Sequence, residues 1–207
     1  MAPHIEGAGT KQQRGIETRM ALLEASGRVF SRLSYDQAKL KDISDEAGAS
    51  QGSIYFHFGN KYDIAEAVLA VQQERMRAAL DEELAVGRNG YDTVIVMLRR
   101  LADLMATDRL VQAGLQLVDS LPEALRDHGH NSYVTWQGNG TMLIEQGIRD
   151  GSITSTESPR LLAEIINELY VGAQMMAGMA DRWGSLPDRV DRFLPFVKLL
   201  LRPEPER

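Results

Sequence analysis

Apolar residues recur every three to four positions along most of this chain, and polar residues fill the positions between them. That spacing is typical of amphipathic helices, and no segment shows the two-residue alternation of a half-buried strand. Glycine, proline and small polar clusters interrupt the spacing and mark connections. We therefore predict an all-α fold of about nine helices. The predicted helices are Lys11–Leu33, Leu40–Ala47, Gln51–Phe56, Lys61–Val86, Asp92–Thr107, Arg109–Ser120, Tyr133–Arg149, Pro159–Trp183 and Pro187–Leu201.

Several helix ends carry recognisable local signals. Gly48 suits the left-handed end of the second helix, and Ser50 suits the N-cap of the third. Asn60 is a good cap for the long fourth helix, with Asp63 in its first turn. Pro195 is expected to kink or restart the last helix, because proline lacks the backbone N–H that a helix interior needs. Loops are expected at Pro122, His128–Ser132 and Gly151–Ser158.

The composition limits the class of protein. The 207 residues are 43% hydrophobic and 25% charged, as in an ordinary soluble globular protein. No apolar run approaches the ~18 residues of a membrane span, and residues 1–15 lack the apolar core of a signal peptide. There is no cysteine, which excludes disulfides, thiolate catalysis and cysteine-ligated metals. We expect a cytoplasmic protein with no membrane partner.

The net charge of −6 argues at first against nucleic acid as a partner, but the charges are unevenly distributed. Residues 1–61 carry eight Lys/Arg and seven Asp/Glu, whereas residues 62–207 carry 15 and 22. Within residues 11–41 there are seven basic residues and three acidic ones. Affinity for DNA depends on local phosphate contacts more than on total charge. The basic end is therefore either a DNA-binding surface or an ordinary solvated face.

Two short predicted helices, Leu40–Ala47 and Gln51–Phe56, are separated by a turn centred on Gly48. Helices joined in this way form a helix-turn-helix, in which the second helix enters the major groove and the first braces it. Many other helical hairpins share this spacing, so the residues around the turn carry more weight. The sequence reads DISDEAGAS over Asp42–Ser50 and QGSIYFHFGNK over Gln51–Lys61.

Both segments closely resemble the signature of the tetracycline-repressor (TetR) family, and the resemblance covers about residues 11–70. It implies a DNA-binding module in which Tyr55, His57 and Lys61 contact phosphates. A phenol, an imidazole and an ammonium can each donate to a phosphate oxygen. The alternative is that Tyr55 and His57 are aromatic residues packed on the surface, which is the more common role of a single Tyr or His without such a motif.

Physical reasoning adds candidates around the same helix. Gln51 and Ser53 lie at its start, where side chains can reach base edges or phosphates. Gly52 permits close approach of the backbone to DNA, and Ser50 caps the helix beside N–H groups that favour phosphate. The candidate DNA-binding residues are Lys39, Lys41, Ser50, Gln51, Gly52, Ser53, Tyr55, His57 and Lys61. The apolar residues that alternate with these candidates are interpreted as core, namely Ile54, Phe56 and Phe58.

The segment departs from the family pattern at two places. The family usually has glycine before the aromatic residue of the turn after the first helix; Ser34 stands there, so it must tolerate or adjust that turn. Many members have threonine at the positions of Ala38 and Lys39, where it caps the second helix and touches phosphate. Neither residue can supply that cap, and we expect Lys39 and Lys41 to replace the phosphate contact by charge.

The remaining two thirds of the chain are expected to sense a ligand and to dimerise. We predict a disordered tail over residues 1–10, a helix-turn-helix domain over 11–60, a ligand-binding and dimerisation domain over 61–201 and a tail over 202–207. In the family, the last two long helices pair with a second subunit; here they are Pro159–Trp183 and Pro187–Leu201. Small and flexible apolar residues fill the stretch Gly172–Ala180, which suits a homodimer interface, with plain core as the alternative.

In members of the family, the C-terminal helices also enclose a small-molecule cavity. Such pockets are mostly apolar with a few polar groups. The stretches Val111–Leu115 and Tyr133–Trp136 resemble the γ-butyrolactone-receptor branch. In that branch a tryptophan matching Trp136 lies at the lactone pocket, and a glutamine matching Gln72 can face the ligand. The candidate ligand-binding residues are Gln72, Gln116, Thr135, Trp136, Asn167 and Gln174. The alternatives are a core role for Trp136 and surface or capping roles for the others.

The sequence thus predicts a homodimeric repressor of a palindromic double-stranded DNA operator, released by a small lipophilic signal such as a γ-butyrolactone or butenolide. Response to a drug, a fatty acid or another apolar metabolite is the alternative, since the DNA-binding half would look identical. An enzyme would need a catalytic constellation, and none is recognisable, so we predict neither enzymatic activity nor a cofactor. His128 and His130 are interpreted as part of a solvated loop and not as a metal site.

Overall fold

The computed structural model describes the backbone of residues 6–120 and 123–202 and the side chains of residues 12–118 and 131–202. Within these ranges the chain forms nine α-helices and no strand, which confirms the predicted all-α fold. The helices are α1 Glu6–Phe30, α2 Leu40–Ala47, α3 Gln51–Phe58, α4 Lys61–Ala85, α5 Gly90–Thr107, α6 Arg109–Ser120, α7 Glu123–Arg149, α8 Pro159–Asp181 and α9 Leu186–Leu201.

Local chemistry explains why α2, α3 and α4 begin and end where they do. Gly48 follows α2 with a φ of 61°, a left-handed conformation that glycine adopts without steric cost. The Ser50 hydroxyl accepts a hydrogen bond from the Ser53 N–H at 3.2 Å and caps α3. The Asn60 side chain accepts from the Asp63 N–H at 3.1 Å in the same way at the start of α4.

The interruption predicted at 128–132 is wrong, and the last helix does not restart at Pro195, whereas a kink there stays a prediction. The stretch 128–132, predicted as a loop, has helical backbone inside α7. Strong helix formers occupy residues 123–126, and the glycine at 129 costs only about 1 kcal/mol in a helix interior. Helix α9 runs through Pro195 without a break. Pro195 and Asp191, whose carbonyl loses its usual helical donor, are both exposed, so water can satisfy that carbonyl.

The first helix begins earlier than predicted. Because α1 starts at Glu6, the second half of the predicted disordered tail is helical. Residues 1–5 and 203–207 lie outside the described residues, as does the loop predicted at Pro122. No described helix is long and apolar enough to cross a membrane.

Contacts divide the described chain into two compact units. The first contains the chain up to Gln72 together with the segment from Arg109 to the gap at 121–122, so it holds α1–α3, the first half of α4 and α6. The second contains Gln73–Asp108 and the chain from Glu123 onward. The predicted domain boundary after residue 60 separates a DNA-binding function from a ligand-binding one. It is not a boundary between groups of contacting residues, so it stays a prediction.

The first unit is built around an apolar core, and ion pairs between Glu46 and two arginines add to it. Its fully buried large side chains are Leu22, Leu23, Phe30, Ile43, Ile54, Ile64, Leu69 and Leu117. On α2, the Glu46 carboxylate accepts hydrogen bonds from Arg28 Nε of α1 and from Arg32 Nη2 in the turn that follows α1, both at 2.6 Å. These two bonds lower the pKa of the Glu46 carboxyl, which therefore stays ionised and fixes α2 against α1.

The second unit packs α5 closely against α7. A Cβ added to Gly90 would lie 2.2 Å from the Gly147 nitrogen, so only glycine fits at this crossing. The Asp150 carboxylate, after α7, accepts from the Gly90 N–H at 2.8 Å and caps the start of α5. In the same unit, α8 stops at Asp181, and Arg182 and Trp183 take left-handed conformations with φ of 54° and 67°.

Candidate nucleic-acid interface and buried polar site

Helix α3 has one buried side and one exposed side. Ile54 and Phe58, one turn apart, are buried in the core of the first unit. Gln51, Gly52 and Tyr55 are exposed, with 57% of the Tyr55 surface accessible. The three residues thus lie on the solvent-exposed side of α3.

Phe56 lies on the exposed side, which corrects its interpretation as core. Its side chain is 84% exposed, whereas the core assignments of Ile54 and Phe58 are confirmed. The reason is helical geometry, because residue 56 is two positions from each buried residue and so about 200° away from both. Its ring contacts the edge of the half-buried His57 ring, with 5.0 Å between centroids.

The start of α3 offers fewer free donors than the sequence indicates. Ser50 and Gly52 are exposed and Ser53 is half-buried. Because the Ser50 hydroxyl already accepts from the Ser53 N–H, that N–H serves the cap. A side chain at Gly52 would meet only Ser50 Oγ, at 3.6 Å from the added Cβ, so its outer surface is bare backbone in open space.

Lys61 has a structural role that the sequence did not indicate. Its ammonium donates to the carbonyl oxygens of Tyr35 at 2.7 Å and Ala38 at 2.9 Å, and it lies 4.3 Å from the centroid of the Tyr35 ring. An ammonium has three N–H donors, so these two bonds do not use all of them. Lys61 therefore ties the start of α4 to the turn between α1 and α2.

That turn accommodates Ser34 without strain. Among the described residues, the only non-glycine residues with positive φ are Arg182 and Trp183, so Ser34 needs no glycine conformation. Its N–H donates to the Gln37 side chain at 3.3 Å. The substitution of serine for the family's usual glycine is thus tolerated locally.

The two candidate lysines before and inside α2 differ in availability. Lys39 is the N-cap residue and is exposed; its side chain makes no cap bond, and its N–H donates to Asp42 Oδ2 at 2.8 Å. Lys41 is exposed but pairs with Asp45 at 2.6 Å, and that hydrogen bond raises the pKa of the Lys41 ammonium. Lys39 is therefore the better placed of the two to meet a phosphate.

One further cation near α3 gave no signal in the sequence. Arg19 of α1 is exposed, and its guanidinium carbon lies 4.8 Å from the centroid of the Phe58 ring. Helical spacing within α1 does not indicate this contact, because it joins residues 39 positions apart in the sequence.

The six candidate ligand-binding residues divide between the two units. Gln72 and Gln116 belong to the first. Gln72 is buried, and a Cβ on Gly114 would lie 2.6 Å from its Cβ, so α4 and α6 approach closely there. Gln116 is half-buried. Thr135 is exposed and its hydroxyl donates to the Asn131 carbonyl of its own helix at 2.8 Å, which leaves it no evident role in a pocket.

The other candidates of the second unit are half-buried, and one carries an unusual buried donor. Trp136, Asn167 and Gln174 are all partly enclosed. The Asn167 amide nitrogen is buried and has no hydrogen-bond partner among the described residues. An unpaired buried donor of this kind costs about 1–3 kcal/mol, so it is a place where a ligand acceptor would be stabilising.

Tyr170, which was not among the sequence-based candidates, lies one turn after Asn167 on the same side of α8. Its phenol is buried, and its hydrogen-bond partner within the described chain is a poor one, the Met105 sulfur at 3.7 Å. Burial raises the pKa of the Tyr170 phenol, so the group stays a neutral donor. Gln174 follows one turn later, giving α8 a polar line at Asn167, Tyr170 and Gln174.

No cluster of metal-ligating side chains occurs in the described part of the chain. The side chains of His128 and His130 lie outside it.

Comparison with known proteins matches part of the first unit to a family model. The family model described as bacterial regulatory proteins of the tetR family matches residues 22–68. That range contains α2, α3 and the start of α4, together with every candidate DNA-binding residue.

Individual relatives extend the similarity over most of the chain. The A-factor receptor protein of Streptomyces griseus is 24% identical over 90% of this chain and 66% of its own length, just under two thirds. A solved structure on the control of antibiotic production by bacterial hormones is 25% identical, with a TM-score of 0.76 over 90% of this chain and 98% of the other. The Streptomyces coelicolor TetR-family protein CprB, solved with its operator, is 21% identical, with a TM-score of 0.76 over 92% and 91%.

The bonds of Lys61 predict a stability effect that a simple phosphate contact would not produce. Lys61→Met keeps the side-chain stem but removes the donors to two backbone carbonyls, and should lower the free energy of unfolding by about 1.5–3 kcal/mol. Lys41→Met is the matched control, since an exposed i,i+4 pair contributes at most about 0.5 kcal/mol. Urea denaturation followed by circular dichroism measures both; equal effects of the two substitutions would contradict the structural role.

Proposed function

Since this chain is a transcriptional regulator of the TetR family, we propose that it binds a palindromic DNA operator as a homodimer and leaves it when a small lipophilic signal binds the second unit. The observation that carries the DNA part is the exposed side of α3. The signal is proposed to be a neutral molecule with a carbonyl oxygen, such as a γ-butyrolactone or butenolide. Each part of the proposal has its own physical support.

The exposed side of α3 has the chemistry of a groove-binding surface. Gln51 offers an amide that can pair with a base edge, and the bare backbone of Gly52 lets the helix approach closely. The Tyr55 phenol and the His57 imidazole offer donors for phosphate oxygens, as does the remaining donor of Lys61. Lys39, exposed at the N-cap of α2, adds a cation beside them, and Lys41, Ser50 and Ser53 complete the proposed set.

An exposed apolar face on α8 and α9 supports a homodimer. Met175 and Met179 of α8 are 61% and 74% exposed, and Phe196 of α9 is 63% exposed. Leu169, Met176 and Leu199 extend this face, and α8 packs directly against α9. Several exposed apolar residues on two neighbouring helices are typical of a protein interface, and methionine adapts well to a second surface. Two copies would place two recognition helices on one operator, about 34–36 Å apart.

The buried donors of α8 support a neutral acceptor as the signal. Asn167 Nδ2 has no partner in the described residues and the Tyr170 phenol has only a thioether, so both would gain from a carbonyl or ring oxygen. No lysine or arginine is buried among the side chains that the structure describes. A fatty-acid carboxylate would lie there without a counter-charge, which is costly, so a lactone or another neutral carbonyl compound is favoured.

Release would follow from differential affinity. The signal shifts the chain away from the operator-binding state only to the extent that it binds the other state more tightly. By linkage, the operator must weaken the signal's affinity by the same factor. The Asn167 amide and the Tyr170 phenol give this difference in affinity a physical basis, because they lack good hydrogen-bond acceptors in the described part of the chain.

Lys39 provides a direct test of DNA binding. Lys39→Gln should weaken operator affinity and reduce the slope of log K against log salt by about one for each phosphate that the ammonium neutralises. Lys198→Gln in α9 is the matched control, because Lys198 is also exposed and lies in the second unit. Fluorescence anisotropy with an operator selected from random duplexes measures both. An unchanged slope for Lys39→Gln would remove Lys39 from the interface, and the failure to select any duplex would overturn the DNA-binding proposal.

Tyr170 provides the test of the signal. Tyr170→Phe removes only the phenol oxygen and should weaken binding of an alkyl-substituted γ-butyrolactone about tenfold, the value of one hydrogen bond. Thr135→Ala should leave binding unchanged, since that hydroxyl is exposed and bonds to its own helix. Isothermal titration with the lactone, and with decanoate for comparison, measures the affinities. Equal binding by Tyr170→Phe, or tighter binding of decanoate than of the lactone, would contradict the proposed signal and leave DNA binding untouched.

A further inference from the structure

Phe56 is the most exposed large apolar residue among the side chains that the structure describes. It lies near the middle of α3, on the side proposed to face DNA, where its ring is 84% exposed and packs at a right angle to the His57 ring. Single exposed apolar residues are common on proteins and need no explanation by themselves. The position of this one on α3 is what gives it meaning.

Helical geometry places Phe56 at the centre of the outward face. Ile54 and Phe58 fix the inward direction, and Phe56 points about 200° away from each. Gly52 lies one turn before Phe56 on the same line, with open space beyond it. The outermost line of α3 is therefore bare backbone followed by a phenyl ring, so the helix can sit deep in a groove with the ring pressed against its floor.

A phenyl ring has no hydrogen-bond donor or acceptor, so it cannot read the polar pattern of a base edge. The apolar group that the major groove exposes is the C5-methyl of thymine. We propose that Phe56 is a specificity-determining residue that contacts a thymine methyl group in each half-site of the operator. This inference rests on the proposed DNA binding. Most of the proposed DNA contacts are to phosphates, and the Phe56 contact would instead distinguish one base from another.

Replacing thymine by uracil removes that methyl group and nothing else from the base. An operator is selected with the full-length protein, and duplexes are then made with deoxyuridine at each thymine position in turn. For the unsubstituted protein, one position per half-site should lose affinity about fourfold, the value of one buried methyl group. Phe56→Ala should bind the thymine and uracil duplexes equally, because the apolar partner is gone.

Phe56→Leu is the matched control, since it stays apolar and should keep most of the discrimination. The ratio of affinities for the thymine and uracil duplexes is compared between Phe56→Ala and the original protein. Any effect of uracil on DNA shape is the same for both proteins and cancels. Because Phe56 is exposed, all variants should unfold at the same temperature as the original protein, which circular dichroism checks. A selected half-site without thymine, indifference of the original protein to every uracil, or full discrimination by Phe56→Ala would each overturn the inference while leaving DNA binding intact. The failure to select any operator would overturn both.

Discussion

The burial of Ile54 and Phe58 decides what α3 can do, because an eight-residue helix has little stability of its own in water. Once these two side chains are fixed in the core of the first unit, every other position on the helix has a determined direction. Tyr55 and Phe56 must face outward, and Gly52 must present its backbone beside them. The proposed DNA contacts are thus a consequence of core packing, and a core substitution at residue 54 would disturb all of them together.

Much of this arrangement could be predicted from the sequence, because it depends on interactions between near neighbours. The Gly48 turn, the Ser50 cap and the bounds of α2 all follow from residues within four positions of one another. Phe56 was assigned wrongly although the signal was present: Ile54 and Phe58 are one helical turn apart and Phe56 falls between them. The role of Lys61 could not be foreseen, since its ammonium meets carbonyls 26 and 23 residues earlier in the chain.

In the second unit, too, features that depend on near neighbours could be predicted from the sequence, whereas features that depend on packing between helices could not. Asn167 and Gln174 could be named from sequence as polar residues on an apolar helix, but their enclosure depends on what packs against α8. Tyr170 was missed because tyrosine is common in ordinary cores, and only its poor acceptor makes it a candidate ligand donor. The stretch 128–132 was misjudged as a break, since a helix tolerates one weak residue when good helix formers compensate for it.

The central claim is that the outward side of α3 enters the major groove of an operator. Dimethyl sulfate footprinting tests it most directly, because the reagent methylates guanine N7 in the major groove and adenine N3 in the minor groove. With the full-length protein on a selected duplex, we expect guanine N7 to be protected in two symmetry-related stretches about one helical turn apart, and adenine N3 within them to stay reactive. Protection of adenine N3 alone, or of a single stretch without a symmetric partner, would contradict the account.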